Sequence, residues 1–457
     1  MTESQRLARF IVDAHWDDLS EHAVRELKVR LLDSLGCAIG ALDAEPIRML
    51  RAYLHDFGGR PLASLIGGGR TATDRAAFYN GALVRYLDYN DSFLAPGETC
   101  HPSDNLGAVL AAAEHADRSG RSLLAALGVA YQVHCRLSEE APVRARGFDH
   151  TTQGAYAVAA GVAKALGLDE RRTANAVRIS GTANNALRVT RTGRLSHWKG
   201  LAYPNTAFQG THATFLALHG ITGPDEVFEG NKGFMDSIAG RFELDWEREG
   251  LDAVHRTILK KYNAEIHSQS ALEGIIGYRE ERGADAEAIG RIEVELFDVA
   301  YHIIGGGEEG GKHEVHTKEE ADHSLPYMLA VAYLDGEVGP AQYEPERIRR
   351  DDVQSLMRKV EVRPDEGFSA RFPAEMPCRL TVERLDGDVE VIEKRDYEGF
   401  HTRPMAWETV VAKFDRLAAP HADEPLRREV VDVVAGLEKH RVRDLVRPLW
   451  RVGTEHT

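Results

Sequence analysis

The sequence predicts a mainly α protein: an all-helical domain built from both chain ends, with a smaller α+β lid domain inserted into it. Three observations point there. Apolar residues recur at three- and four-residue intervals over most of residues 4 to 250. After Tyr262 the texture changes, and period-two or β-branched runs alternate with helix-like stretches. From Pro404 the helical spacing returns. The boundaries read as 1–261 and 401–457 for the helical domain and 262–400 for the lid. A chain of 457 residues is also too long for one ordinary core.

In chain order, Arg6 to Trp16 and Glu21 to Leu42 carry core-facing stripes, as in Val24, Leu27, Leu31, Leu32 and Leu35. Further helical patterns cover Asp74–Leu87, Leu106–Ala116, Leu123–Leu137, Ala155–Leu166, Glu170–Thr182 and Thr206–His219. Their Ala and Gly content favours close helix approach. LASLIGG from Leu62 reads as the only strand-like interruption in this half. In the insert, Ile292–Phe297, Lys359–Arg363, Arg379–Glu383 and Val389–Glu393 read as strands, the last two joined through LDGD as a hairpin. Helices are expected over Ser268–Gly283, Glu319–Asp335 and Pro345–Met357, then over Trp407–Leu417 and Pro425–His440. The C-terminal RVGTEHT reads as frayed. A domain inserted in another leaves a cleft, where small-molecule sites are common.

Composition narrows the function. A net charge of -16 argues against nonspecific nucleic-acid binding, so an anionic substrate must meet locally gathered cations. Lys199 and Lys260, among small or apolar residues, are two such. Cys37, Cys100, Cys135 and Cys378 are widely separated and show no metal or disulfide spacing, which fits a cytoplasmic protein. The N-terminus reads as neither signal peptide nor anchor, and no stretch reaches the roughly 20 apolar residues of a membrane span.

The stretch LDYNDSFLAPGETCHPSDN, from Leu87 to Asn105, places Asp88, Asp91 and His101 between two helices. Two carboxylates and an imidazole supply both sides of proton-transfer chemistry, although capping and solvation of a turn explain the same spacing. RGFDHTTQGAYAVAAG sets His150 before a small-residue helix, whose start favours an anion. SHWKGLAYPN presents Lys199. ILKKYNAEIHSQSA presents Lys260, Lys261, Glu265 and His267, and ADHSLPYMLAVA presents His323, Ser324 and Tyr327 at a helix start. Gly306–Lys312 fits the GxxxxGK spacing, but His313 replaces the magnesium-binding hydroxyl and Glu308 and Glu309 would face the phosphates, so it reads as a flexible loop. His313 with His316, and His212 with His219, find no convincing third ligand, so no metal is expected.

Taken together, LLDSLGCAIGAL, LDYNDSF…HPSDN, GFDHTTQGAYAVAAGVAKALGL, HWKGLAYPNTA, KKYNAEIHSQSA, ADHSLPYMLAVAYLDG and FHTRPMAWETVVAKF resemble the MmgE/PrpD family over nearly the whole chain. That family contains 2-methylcitrate dehydratases, cis-aconitate decarboxylases and iminodisuccinate epimerases. The resemblance implies a homodimer that acts on a small polycarboxylic acid without metal, iron–sulfur cluster or organic cofactor. It assigns the active-site Asp to Asp88, the HPS histidine to His101, a second histidine to His150 (with Asp149 as an extra residue), the lysines to Lys199 and Lys260, and the tyrosine to Tyr327. Decarboxylase members resemble a version with His where this chain has Glu265, whereas NAEIHSQSA and ADHSLPY look closer to the methylcitrate dehydratases. DYND also resembles the Asp-rich magnesium motif of isoprenoid synthases, but the second acidic cluster of those enzymes has no counterpart in the sequence.

The implied activity is dehydration of 2-methylcitrate or a related tricarboxylic acid. The alternatives are another lyase or epimerase of the family, or a silent binding homologue. In this expectation His101 is the leading acid or base, oriented by Asp88, and His150 is the second proton-transfer group. Tyr327 donates a hydrogen bond or proton, Lys199 and Lys260 neutralise carboxylates, and Glu265 and His267 line the wall.

Overall fold

The computed structural model describes residues 1–246 and 250–453, so the last four residues of the expected frayed end lie outside the described residues. In chain order the helices are α1 (Glu3–Asp13), α2 (Glu21–Gly40), α3 (Glu45–Phe57), α4 (Thr73–Tyr86), α5 (Leu106–His115), α6 (Gly120–Glu140), α7 (Thr151–Leu166), α8 (Glu170–Ala183) and α9 (Trp198–Leu218). They continue as α10 (Gln269–Arg282), α11 (Asp298–Ala300), α12 (Lys318–Ala321), α13 (Leu325–Asp335), α14 (Pro345–Ile348), α15 (Asp351–Met357) and α16 (Glu366–Ser369). The last are α17 (Trp407–Ala418), α18 (Glu424–Ala435) and α19 (Val442–Arg451). The strands are β1 (Ala63–Ser64), β2 (Arg70–Thr71), β3 (Phe93–Ala95), β4 (Glu98–Cys100), β5 (Ile289–Leu296), β6 (Val360–Pro364), β7 (Cys378–Arg384) and β8 (Val389–Lys394). The protein is mainly α, and among the described residues no helix is long and apolar enough to cross a membrane.

The chain divides into two compact units. The first comprises Met1–Thr190, Gly200–Thr257 and Ala406–Thr457. Its core is a set of apolar helices, with α7 buried over almost its whole length and packed on α5, α6 and α8. Small residues allow this closeness. A Cβ on Gly107 of α5 would strike the Gly81 backbone of α4, so neither helix could approach the other with a larger residue there. The N-terminal α2 packs on the C-terminal α17, and a fully buried Asp33–Lys413 ion pair at 2.7 Å joins them. Lys413 Nζ also donates to the Tyr89 carbonyl at 2.9 Å and sits 3.6 Å from the Tyr89 ring centre. Removing either charge would strand the other in the core, at a cost of about 3–5 kcal/mol.

The second unit comprises Arg191–Lys199 and Ile258–Met405. Its sheet runs β6-β5-β7-β8, with β5 and β6 parallel and the other pairs antiparallel. Helix α10 covers one face, where Gly274 leaves room for Leu380 of β7. The strands alternate because their other face carries a ladder of ion pairs. Arg291 bridges Glu361 and Glu383, and Arg379 bridges Glu295 and Glu393.

Several elements depart from the expectations. LASLIGG is not the only strand-like interruption of the first half, since β3 and β4 form a hairpin inside the Leu87–Asn105 stretch. Pro96 and Gly97 (φ +78°) make its two-residue turn, which suits the left-handed position of a type II turn. Helices α3 and α19 lie where no element was expected; Pro46 and Pro448 interrupt their apolar spacing in sequence but are accommodated in the helices. Helix α9 starts eight residues before the expected Thr206 and runs through Pro204. The single helix expected over Glu319–Asp335 breaks at Asp322–Ser324. Ser324 accepts a hydrogen bond from Tyr327 N at 3.1 Å, which caps α13, and Pro326 suits its first turn.

Candidate active site

In the first unit the Leu87–Asn105 stretch leaves α4 at Asp88, a non-glycine residue in the left-handed region with φ +54°. Asp tolerates that conformation better than most residues, and strain of this kind persists only where surrounding contacts enforce it. Arg85, one turn back, provides one such contact with Nη1 2.6 Å from Asp88 Oδ1, both side chains being buried. Asp91 is the centre of the loop's hydrogen bonding. Its Oδ1 accepts from Ser103 N at 3.1 Å and Ser103 Oγ at 2.7 Å, and its Oδ2 accepts from Tyr131 Oη at 2.7 Å. Burial pushes the Asp91 carboxyl up, against those three hydrogen bonds. Asn90 Nδ2 adds bonds of 2.8 Å to Ser103 Oγ and to Asp104 Oδ1.

This network orients His101. Its Nδ1 lies 2.8 Å from the Asp91 carbonyl oxygen and 3.1 Å from Ser92 Oγ. A carbonyl can only accept, so Nδ1 carries hydrogen and the neutral ring keeps its lone pair on Nε2. That is the form a proton acceptor needs. The ring of His150, at the start of α7, meets His101 edge-on with centres 5.5 Å apart. Asp149 Oδ1 stands 3.2 Å from His150 Nδ1 and accepts from Thr151 N at 3.2 Å.

Two further rings complete the cluster. His134 of α6 lies nearly parallel to His150 at 6.3 Å, and Tyr203 of α9 at 6.0 Å. Tyr203 Oη donates to Asn105 Oδ1 at 3.0 Å, and the absence of a side chain at Gly154 admits the Tyr203 ring against α7. The expected residues Asp88, His101 and His150 therefore share one buried region of the first unit.

In the second unit the break between α12 and α13 exposes a different chemistry. Asp322 is fully buried, with Oδ1 2.9 Å from Lys199 Nζ and 2.6 Å from His323 Nδ1, and Oδ2 2.7 Å from Lys318 Nζ. Burial would raise its carboxyl, but Lys199, Lys318 and His323 hold it well below the ordinary carboxylate range. Lys199 Nζ also lies 3.0 Å from His323 Nδ1. Glu265 and His267 form a second buried pair, Oε1 to Nδ1 at 2.7 Å, with the His267 backbone N–H on Oε2 at 2.8 Å. Burial alone would raise Glu265, yet His267, His323 and Lys260 bring it down to about 2. Lys260 is itself fully buried, and Phe297 and Phe372 flank the His267 ring.

The glycine loop also contributes. Burial pulls the Lys312 ammonium down, with Lys199 adding to the effect and Glu309 opposing it. Ser324 Oγ donates to the Lys312 carbonyl at 2.6 Å, which ties the loop to the start of α13. Tyr327 is placed differently from its expected role. Its hydroxyl donates to the Gln342 backbone carbonyl, and burial pushes its acidity down. That bond ties α13 to the segment before α14. His313 donates Nε2 to the Val360 carbonyl at 3.0 Å, a structural bond.

Asp322, His134, Tyr203 and Lys312 were missed as functional candidates. Asp322 had one available signal, its i, i+4 spacing from Lys318 next to His323. His134 and Tyr203 sit on apolar helices, where a single polar ring reads as ordinary core.

The MmgE/PrpD N-terminal domain matches residues 5–247, and the MmgE/PrpD C-terminal domain matches residues 262–439. A 2-methylcitrate dehydratase of Salmonella typhimurium is 28% identical over 383 residues, covering 78% of this chain and 77% of the relative. That of Escherichia coli K12 is 28% identical over 364 residues, covering 75% and 74%. An alkylcitrate dehydratase, phiI, of a fungal species is 27% identical over 449 residues, covering 91% and 87%. The chain belongs to the MmgE/PrpD family.

Proposed function

We propose that this protein dehydrates 2-methylcitrate, or a closely related tricarboxylic acid, to the corresponding cis-aconitate, using side chains alone as acid, base and anion-binding groups. The chain is a carbon–oxygen lyase of its family, in keeping with the dehydratases it resembles over most of its length. The observation that carries the finer reading is the state of His101. A buried imidazole held through Nδ1 by a backbone carbonyl offers a basic Nε2, the group needed to take a proton from carbon beside a carboxylate.

The reaction breaks that C–H bond and the C–O bond of the neighbouring carbon, and it releases water. Negative charge grows on the carboxylate next to the reacting carbon as the proton leaves. Lys199 and Lys260 are the cations suited to that charge, and Asp322 holds Lys199 in place through a 2.9 Å ion pair. This division of labour explains how a chain of net charge -16 handles a trianion. Asp88 and the Glu265–His267 pair are assigned to support. Asp88 holds Arg85 and the strained turn, and Glu265 fixes the His267 ring.

The test is a substrate panel. Chelator-treated protein is mixed with 2-methylcitrate, citrate, cis-aconitate and iminodisuccinate and followed for unsaturated product in the low ultraviolet and for carbon dioxide. Dehydration of 2-methylcitrate that survives chelation is expected. Carbon dioxide release from cis-aconitate as the dominant activity, or loss of turnover on chelation, would reject the reading.

A further inference from the structure

The two imidazoles in edge-to-face contact have unlike groups behind them. Behind His101 stand a backbone carbonyl and a hydroxyl, at 2.8 and 3.1 Å from Nδ1. Behind His150 stands a carboxylate, Asp149 Oδ1, at 3.2 Å. Asp149 is fully buried, and His150 almost so. A carbonyl fixes a tautomer without bringing net charge, whereas a carboxylate also stabilises the imidazolium. Two rings 5.5 Å apart in a buried site resist carrying charge together, so protonation of one discourages the other. The pair is asymmetric by construction.

We propose that Asp149 is a positioning residue that keeps His150 as the imidazolium, which makes His150 the general acid for the departing hydroxyl and leaves neutral His101 as the base. The assignment rests on the dehydration reading above. His101 Nε2 takes the proton as the C–H bond breaks, and that electron pair becomes the new C=C bond as the C–O bond breaks. His150 gives its proton to the leaving hydroxyl, which departs as water. The pair ends with charge on His101, and one proton returned to His150 resets it.

Groups facing His150 include the rings of His101, of His134 from α6 and of Tyr203 from α9. Burial pushes up the Glu98 carboxyl at the start of β4, with Asp149 adding to it, against hydrogen bonds from Val143 N, Arg144 N and Gln153 Nε2 and the charge of Arg188, the cation of this corner. Asp149 is placed by its backbone, which donates to the Ala186 carbonyl at 2.9 Å.

The variant that isolates the charge is Asp149→Asn, which keeps an oxygen for Thr151 N. Histidine nitrogen NMR of the substrate-free protein, with the His150 signal identified by its loss in His150→Gln, is expected to show His150 doubly protonated at pH 7 and neutral in Asp149→Asn. A neutral His150 in the unmutated protein, or one unchanged in Asp149→Asn, overturns the proposal. In the kcat/KM profile with 2-methylcitrate, losing the carboxylate should move the alkaline limb to lower pH by about one unit or more, because an acid must stay protonated. Movement of the acid limb instead would make His150 the base and overturn the assignment. Asp149→Glu restores the charge and should restore the alkaline limb, and it decides the matter if Asp149→Asn does not fold. Expected NMR behaviour in a protein that does not dehydrate 2-methylcitrate would sink the dehydration reading and the acid role, but not the charge state of His150.

Discussion

In the helical unit His101 is held by a backbone carbonyl and a hydroxyl, whereas in the other unit Lys199 is held by a carboxylate shared with Lys318 and His323. The contrast follows from what each side chain must do. A base has to gain and lose a proton, so neutral partners fix its orientation without locking its charge. A cation that receives a carboxylate must remain charged in a buried place, and only an anion behind it makes that tolerable. One region is therefore organised by hydrogen bonds around a titratable ring, the other by buried ion pairs around a carboxylate.

The largest effect should come from the helical region. Replacing His101 by Asn should lower turnover by about 10²-fold or more while circular dichroism stays unchanged. Near-normal turnover would remove His101 from proton transfer and collapse the contrast. Next comes Lys199→Ala, expected to cost roughly ten- to a hundredfold in kcat/KM for tricarboxylates, with a smaller change in the ring chemistry of His101. Equal kcat/KM in wild type and variant would show that the ion-paired region binds no substrate carboxylate.

Acid separates the two regions further. The folded-state carboxyl of Glu265, at about 2, lies below its unfolded value of 4.5. Its contribution is therefore present above about pH 4.5 and lost as pH falls toward 2, an effect of about 3 kcal/mol. Denaturant titrations of wild type and Glu265→Gln across that window should converge at the acid end, and parallel curves would contradict the assignment. The smallest effect is expected from Tyr327→Phe. Losing one bond to the Gln342 carbonyl should cost about 1 kcal/mol of stability and leave turnover within a few-fold, as measured by thermal melts and initial rates.

The helical periodicity and the LDGD hairpin were legible because they rest on spacing and turn chemistry, which are local. The candidates Asp88, His101, His150, Lys199, Lys260, Glu265 and His267 were legible as residue types in polar segments. Their partners were not. Asp322 is brought to Lys199 from 123 positions away, and Tyr203 to Asn105 from 98. No local pattern encodes such meetings. The helix break at Asp322 turned on one Ser cap before a proline, a signal weaker than the apolar spacing on either side. The Tyr327 bond was hidden for a related reason, since sequence shows that a phenol is present but not that its hydroxyl donates to the Gln342 carbonyl.

His101 moving a proton during loss of water is what the dehydration mechanism turns on. It is tested most directly by product analysis of 2-methylcitrate incubated with wild type and His101→Asn in deuterated solvent. Wild type should give the unsaturated tricarboxylate without carbon dioxide, and recovered substrate carrying deuterium at the carbon beside the carboxylate, both nearly abolished in His101→Asn. Formation of the same product at the same rate by His101→Asn would contradict it.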